Sequence, residues 1–232
     1  MRIAADSPSP GSHCFLQRSL FVLALLATPL LQAQTAAPAP AVGALADRVD
    51  HHYNSLRSLE THFTQTYEGM GMHRVESGVL LLKKSGKMRW TYSVPAGKLF
   101  VLDGRDGYFY APGSSEAQRI PAKNLDDLHS PLQFLLGHTR LEKELPGLQM
   151  TPASGGDYTL SGIPKGREQR ISALSLTVTS DGVIQSMRIE ESDGVVNTFT
   201  FTDEHPDIRV TDADFVFSPP PGVRVVTGMP PI

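Results

Sequence analysis

The feature that most constrains this chain is a change of period. Between Leu45 and Leu56 apolar residues recur at helical spacing: Leu45, Val49, Tyr53 and Leu56 fall on one side, and Asp47, Arg48, Asp50 and Arg57 lie mostly off that stripe. This predicts an amphipathic helix over about Gly43 to Ser58. From Leu59 the period becomes two. Leu59, Thr61, Phe63, Gln65 and Tyr67 share one face, and Glu60, His62, Thr64 and Thr66 share the other. Short alternating runs then follow one another, separated by turn signals. Strands are expected at Val75 to Lys83, Met88 to Val94, Lys98 to Leu102, Tyr108 to Ala111 and Ser115 to Ile120. Later ones are expected at Leu148 to Thr151, Tyr158 to Gly162, Ile171 to Thr179, Val183 to Glu191 and Val195 to Thr202. Lys84-Ser85-Gly86-Lys87, Asp103 to Gly107, Ser180-Asp181-Gly182 and Ser192-Asp193-Gly194 read as hairpin loops. With 20 Gly and 18 Pro supplying turns, the pattern is that of a mainly β chain, an antiparallel meander in a barrel or sandwich. A second helical region, Asn124 to Leu136, interrupts it. Ser130-Pro131 suits its N-terminus and Gly137 its C-terminal end, and Leu132, Phe134, Leu135 and Leu136 make it apolar on nearly all sides.

The first 42 residues are of another kind. Arg18 precedes the apolar run Leu20 to Leu31, which is too short for a helix to cross a hydrocarbon core of roughly 30 Å. Small and polar residues follow. The segment 1–33 therefore reads as a cleavable secretory signal, cut near Ala33, and its polar stretch Met1 to Gln17 is consistent with a start codon later than the first Met. Residues 34–42 read as a flexible leader and 43–232 as one domain. The single Cys, Cys14, lies ahead of the apolar run, so it leaves with the signal and provides neither a lipid-attachment site nor a disulfide.

Net charge of −3 excludes a strongly basic nucleic-acid binder. Eight His are scattered; His51 and His52 are adjacent and point about 100° apart on a helix, so no metal site is expected. There is no GxSxG elbow and no phosphate-binding Gly-rich loop. The carboxylate pairs Asp126-Asp127, Glu190-Glu191 and Asp203-Glu204 fall before a helix, at a strand end and in an expected loop. No catalytic residue and no cofactor is expected. What remains is apolar. Val79-Leu80-Leu81-Leu82 is hydrophobic on both faces, and Met88, Trp90 and Tyr92 alternate against Arg89, Thr91 and Ser93. Phe100 and Phe109 follow on later strands. Such a face is either an ordinary core or the wall of a cavity for an apolar ligand.

The order of elements, with several stretches, resembles the periplasmic outer-membrane lipoprotein carrier family, LolA. The stretches are Phe63-Thr64-Gln65, Gly78 to Trp90, Val101-Leu-Asp-Gly104, the Tyr-Phe-Tyr of residues 108–110, Ser130-Pro-Leu-Gln-Phe-Leu-Leu136, and Phe215-Val-Phe-Ser-Pro-Pro-Pro-Gly-Val223. The resemblance implies an incomplete, strongly curved antiparallel β-barrel covered by an α-helical lid. It implies a monomeric periplasmic carrier that binds acylated lipoproteins released by an inner-membrane ABC transporter and passes them to an outer-membrane acceptor. Ligand-contacting positions of the family fall on Tyr53, Met88, Trp90, Phe100, Leu132 and Phe134; Leu80, Leu82 and Leu135 join them from the apolar-face reading. One departure concerns the lid. Where the family often has Arg-Pro, the Arg tying the lid shut, this chain has Lys84-Ser85. A Lys donates as a point charge and cannot fork, so Lys84 is a weaker latch unless Arg89 serves instead. Lys83, Lys84, Lys87 and Arg89 together form either a solvated turn or a surface for a partner or anionic headgroups. Two other readings stand beside the carrier: an envelope lipid-binding or lipid-sensing module of the same fold without transfer, and an exported hydrolase.

Overall fold

The computed structural model describes residues 39–84, 86–122 and 140–228. The expected signal segment and the expected helix Asn124 to Leu136 lie outside them. The first element is helix α1, Val42–Ser55, which ends because Leu56 turns extended and Ser58 enters the first strand. Its stripe is the expected one, with Leu45, Ala46, Val49 and Tyr53 buried.

Twelve strands follow: β1 Ser58–Gly69, β2 Met72–Lys83, β3 Lys87–Val94, β4 Leu99–Leu102, β5 Asp106–Tyr110, β6 Glu116–Pro121, β7 Gln149–Pro152, β8 Tyr158–Gly162, β9 Ile171–Val178, β10 Ile184–Glu191, β11 Val196–Pro206 and β12 Arg224–Thr227. A one-turn helix α2, Leu141–Glu144, precedes β7, and a 3₁₀ turn, Asp212–Phe215, follows β11. All twelve strands lie in one sheet, ordered β12-β6-β5-β4-β3-β2-β1-β11-β10-β9-β8-β7. Every pairing is antiparallel except β12 with β6, a parallel edge that alternation alone did not disclose. The two longest contacts of the meander, β1 with β2 and β1 with β11, make the first strand the centre of the sheet and join its two halves.

The sheet is curled. Trp90 on β3 and Phe199 on β11 are separated by β2 and β1, a span of roughly 14 Å in a flat sheet at 4.7–4.9 Å per strand. Their ring centroids are nevertheless 5.6 Å apart. Part of the curvature is written at Gly78, where the β2–β3 register shifts. A Cβ there would collide with the Thr91 carbonyl oxygen. The rings of Phe63 and Tyr92, its two cross-strand neighbours, close over the gap with centroids 5.0 Å apart.

The inner face and α1 enclose one apolar cluster running from β1–β3 round to β8–β11. The outer face carries a smaller buried group. Val101 and Phe215 are both fully buried yet belong outside the inner cluster, and Phe217 stacks on Tyr108 at 5.1 Å. The C-terminal segment after β11 thus lies across the back of β3–β5. The architecture is an incomplete, strongly curved barrel with a helix over its concave side.

Candidate functional site

The concave face is built by register. Trp90 stands between Leu80 on β2 and Phe100 on β4, and Met88 between Leu82 and Leu102. Tyr53 reaches the same cluster from α1. Tyr53, Leu80, Leu82, Met88 and Trp90 are buried there, and Phe100, half-buried, packs against them. The structure therefore brings these expected residues together; Leu132, Phe134 and Leu135 lie outside the described residues. The sequence reading omitted the second wall. Phe63 meets Trp90 edge-on at 4.5 Å, and Phe199 and Phe201 on β11 continue the aromatic row. Their spacing, two residues apart in an alternating strand, was the available signal.

The helix is fastened over this face by polar side chains at several points. Tyr53 Oη donates to Glu204 Oε2 at 3.0 Å and accepts from the backbone N–H of Ile184 at 3.0 Å. His52 Nε2 lies 2.6 Å from Glu204 Oε1. Burial, then the neighbouring Glu204 charge, hold the Tyr53 hydroxyl well above its ordinary pKa, so it keeps its proton as a donor. Arg48 Nη1 donates to the Ser180 carbonyl at 2.7 Å. There the β9–β10 turn touches the helix backbone so closely that only a glycine, Gly182 at φ 91°, fits; a Cβ would lie 2.6 Å from Val49 N. The Asp50 carboxylate accepts the N–H of Leu141, at the start of α2.

Glu204 was expected in a loop. It lies in β11, within an irregularity of the β1–β11 register where Asp203 and Glu204 stand against the single residue Thr61. Phe199 and Phe201 point inward, so simple alternation would send Asp203 in and Glu204 out. Asp203 instead adopts a positive φ of 53°, its side chain exposed beside His62, and Glu204 turns inward to the helix.

Lys84 and Arg89 are placed on different jobs. Lys84 Nζ donates to the carbonyl oxygen of Tyr53 at 2.6 Å, tying the β2–β3 hairpin to the end of α1 beside a cleft lined by Leu56, Leu59 and Leu82. Partial burial lowers its pKa from the ordinary lysine value. Arg89 points to the outer face, where Nη1 donates to the carbonyls of Asp214 and Val216. Lys83 and Lys87 both grip Asp212, at 2.6 and 2.9 Å, and hold its carboxyl down at about 2. The basic hairpin is thus committed to the C-terminal segment and to α1.

Beyond Phe63 and Trp90 the concave face turns polar. Glu76, 5% exposed, pairs with Lys98 Nζ, and its other carboxylate oxygen lies 3.3 Å from Arg74 Nε. The Lys98 ammonium sits 4.3 Å from the Tyr92 ring centroid. Tyr92 Oη donates to Gln65 Oε1 at 3.2 Å, and Gln65 Nε2 donates to Asn197 Oδ1 at 3.2 Å. No residue of this layer was singled out from the sequence as a site.

The sequence pattern of the family described as outer membrane lipoprotein carrier protein LolA matches residues 54–218, well over half the chain. The chain belongs to the LolA family. Among its relatives, an outer-membrane lipoprotein carrier protein of Nitrosomonas europaea is 26% identical over 215 residues, covering 91% of this chain and 99% of that protein. Another, of Chromobacterium violaceum, is 27% identical over 190 residues, 82% of this chain and 91% of that one. A crystal structure of an uncharacterized conserved protein from Thermus thermophilus superposes with a TM-score of 0.51 over 80% of this chain and 98% of that one. At 12% identity it is similar in fold alone. The matched residues include the concave wall of β1–β4 and the terminal Phe215-x-Phe217 segment.

Proposed function

We propose that this protein is a periplasmic carrier for acylated lipoproteins. It takes the acyl chains of a lipoprotein from an inner-membrane ABC transporter into the space between α1 and the concave face, and delivers them to an acceptor at the outer membrane. The observation that carries this reading is the pairing of a continuous apolar wall, Leu80, Leu82, Met88, Trp90 and Phe100, with a helix held over it by side-chain hydrogen bonds. Membership of the LolA family and the names of its relatives support it.

The physical requirement is plain. Exposing acyl chains costs about 0.8 kcal/mol per CH₂, or roughly 12 kcal/mol for a chain of about fifteen methylenes. A soluble carrier must replace most of that with apolar wall, yet still let go. Such a wall requires a cover that can part from it. Hydrogen bonds of modest net strength, about 0.5–1.5 kcal/mol each, hold α1 in place without locking it. Met88 adds a side chain that reshapes around variable contents. No catalytic group is required. The proposal includes export by the N-terminal signal segment, and includes Leu132, Phe134 and Leu135 as further wall.

The test is release. Mature protein is added to inner-membrane vesicles that hold a radiolabelled lipoprotein and its transporter, with and without ATP. A soluble one-to-one complex that forms only with ATP is the expected result, and Trp90→Glu should not form it. Capture of free lipid without ATP-dependent release would replace the carrier with a lipid-binding module. Failure of both would return the concave face to an ordinary core.

A further inference from the structure

The concave face changes character along neighbouring strands. Following the inward-pointing residues, β1 passes from Phe63 to Gln65, and β2 from Leu80 through Gly78 to Glu76. β3 passes from Trp90 to Tyr92, the chain entering β4 carries Lys98 before Phe100, and β11 passes from Phe199 to Asn197. These strands are consecutive in the sheet. Gln65 stands opposite Glu76, and Asn197, opposite Tyr67, meets Gln65 diagonally, so side-chain contacts join the polar residues into a layer. Glu76 is buried, 5% exposed, and Gln65, Tyr92, Lys98 and Asn197 are half-buried. An ion pair taken out of water is a costly way to hold a fold, and apolar residues of the same volume often stabilise as well or better. Its retention beside an apolar wall is therefore informative about what the wall must accept.

We infer that this layer, Gln65, Glu76, Tyr92, Asn197 and Lys98, is a binding site for the ester and amide carbonyls at which fatty chains are joined to an acylated cargo. The inference rests on the carrier reading above. An ammonium has three donors, and among the described residues one carboxylate, Glu76, accepts a hydrogen bond from Lys98. The Tyr92 hydroxyl, its pKa raised by burial and by Glu76, stays protonated and donates to Gln65 Oε1, which turns the Gln65 carboxamide so that its N–H groups, with those of Asn197, are the further donors. Carbonyl oxygens accept from such groups and carry no charge of their own. A phosphate would meet the Glu76 carboxylate on the same ammonium. The layer also fixes a direction. The chains lie along Phe63, Trp90 and Leu80 toward the Tyr53 end of the barrel. The polar part of the cargo leaves past the β1–β2 and β10–β11 turns, where Met70 and Met72 are exposed.

The experiment compares two probes on the full mature chain: a synthetic dipalmitoyl lipopeptide, which carries the carbonyl linkage, and diphenylhexatriene, a hydrocarbon without one. The variant Glu76→Leu/Lys98→Met removes both charges and leaves neither orphaned. It should weaken lipopeptide binding roughly tenfold or more, while hydrocarbon binding stays within about twofold. Tyr92→Phe keeps the ring and removes the hydroxyl that orients Gln65; it should cost the lipopeptide roughly two- to tenfold and decides the question if the double variant does not fold. Equal losses for both probes would make the layer a structural support and overturn the inference, as would unchanged lipopeptide affinity. Wild-type protein that binds neither probe would overturn the carrier reading itself, a result distinct from wild-type binding that the variants leave intact.

Discussion

The curved sheet is covered on both sides, and the two covers differ in kind. On the outer side the cover is a short C-terminal segment. Thr211 and Asp214 cap its 3₁₀ turn reciprocally, Lys83 and Lys87 hold Asp212, Arg89 holds two of its carbonyls, and Phe217 stacks on Tyr108. The buried group on that side is small, Phe215 with Val101. On the inner side the cover is α1, which places Leu45, Ala46, Val49 and Tyr53 in a large apolar cluster and is fixed by polar contacts to the β2–β3 hairpin, the β9–β10 turn, β11 and Leu141. The two faces of one sheet thus serve a small finished core on one side and a broad apolar wall under a helix on the other. The lesson is that burial alone does not separate core from cavity. What distinguishes the two sides here is how much apolar surface each cover hides.

The comparison breaks most sharply under large-to-small changes. Trp90→Ala and Phe215→Ala should each lower stability by about 3–5 kcal/mol in urea melts. The two should diverge in the release assay: folded Phe215→Ala protein should still carry cargo, and Trp90→Ala should not. Equal carriage would erase the functional distinction between the faces. Next in size is Tyr53→Phe, which leaves Glu204 and the Ile184 N–H short of a partner and should cost about 1–3 kcal/mol. Its loss should appear as faster hydrogen exchange in α1, with the C-terminal segment unaffected. Lys84→Met removes one donor to the helix and should cost about 0.5–1.5 kcal/mol while speeding uptake of a hydrocarbon probe. Unaltered uptake would show that Lys84 does not restrain the helix.

The smallest effect is a pH dependence confined to the outer side. Asp212 has a folded pKa of about 2, below its ordinary 3.8, because Lys83 and Lys87 hydrogen-bond to it. Its contribution is therefore present above about pH 4 and is lost as pH falls toward 2. Asp212→Asn should remove that part of the acid sensitivity, measured as the difference in urea midpoint between pH 5 and pH 2.5, and leave probe binding at neutral pH unchanged.

Much of this was legible in the sequence, for local reasons. The spacing of Leu45, Val49 and Tyr53 produces the helix stripe because an α-helix repeats every 3.6 residues, and the alternation from Leu59 produces strands with one buried face. Ser180-Asp181-Gly182 and Ser192-Asp193-Gly194 turn where their chemistry requires. Those patterns put Trp90, Met88, Leu80 and Phe100 on a common face. Other features depend on contacts between residues far apart in the chain. Nothing near Asp203-Glu204 announces that the strand continues through it with Glu204 turned inward, since the partners His52 and Tyr53 lie some 150 residues away. Nothing in Arg89 says that it will hold the C-terminal segment rather than the helix, and the polar layer exists only because strand pairing brings Gln65, Glu76, Tyr92, Lys98 and Asn197 within reach of one another. The sequence by itself determined the period of each segment and therefore which side chains share a face. Only the tertiary structure decided which faces meet and which ionic groups pair, because strand order and curvature are set by long-range packing that no local period encodes.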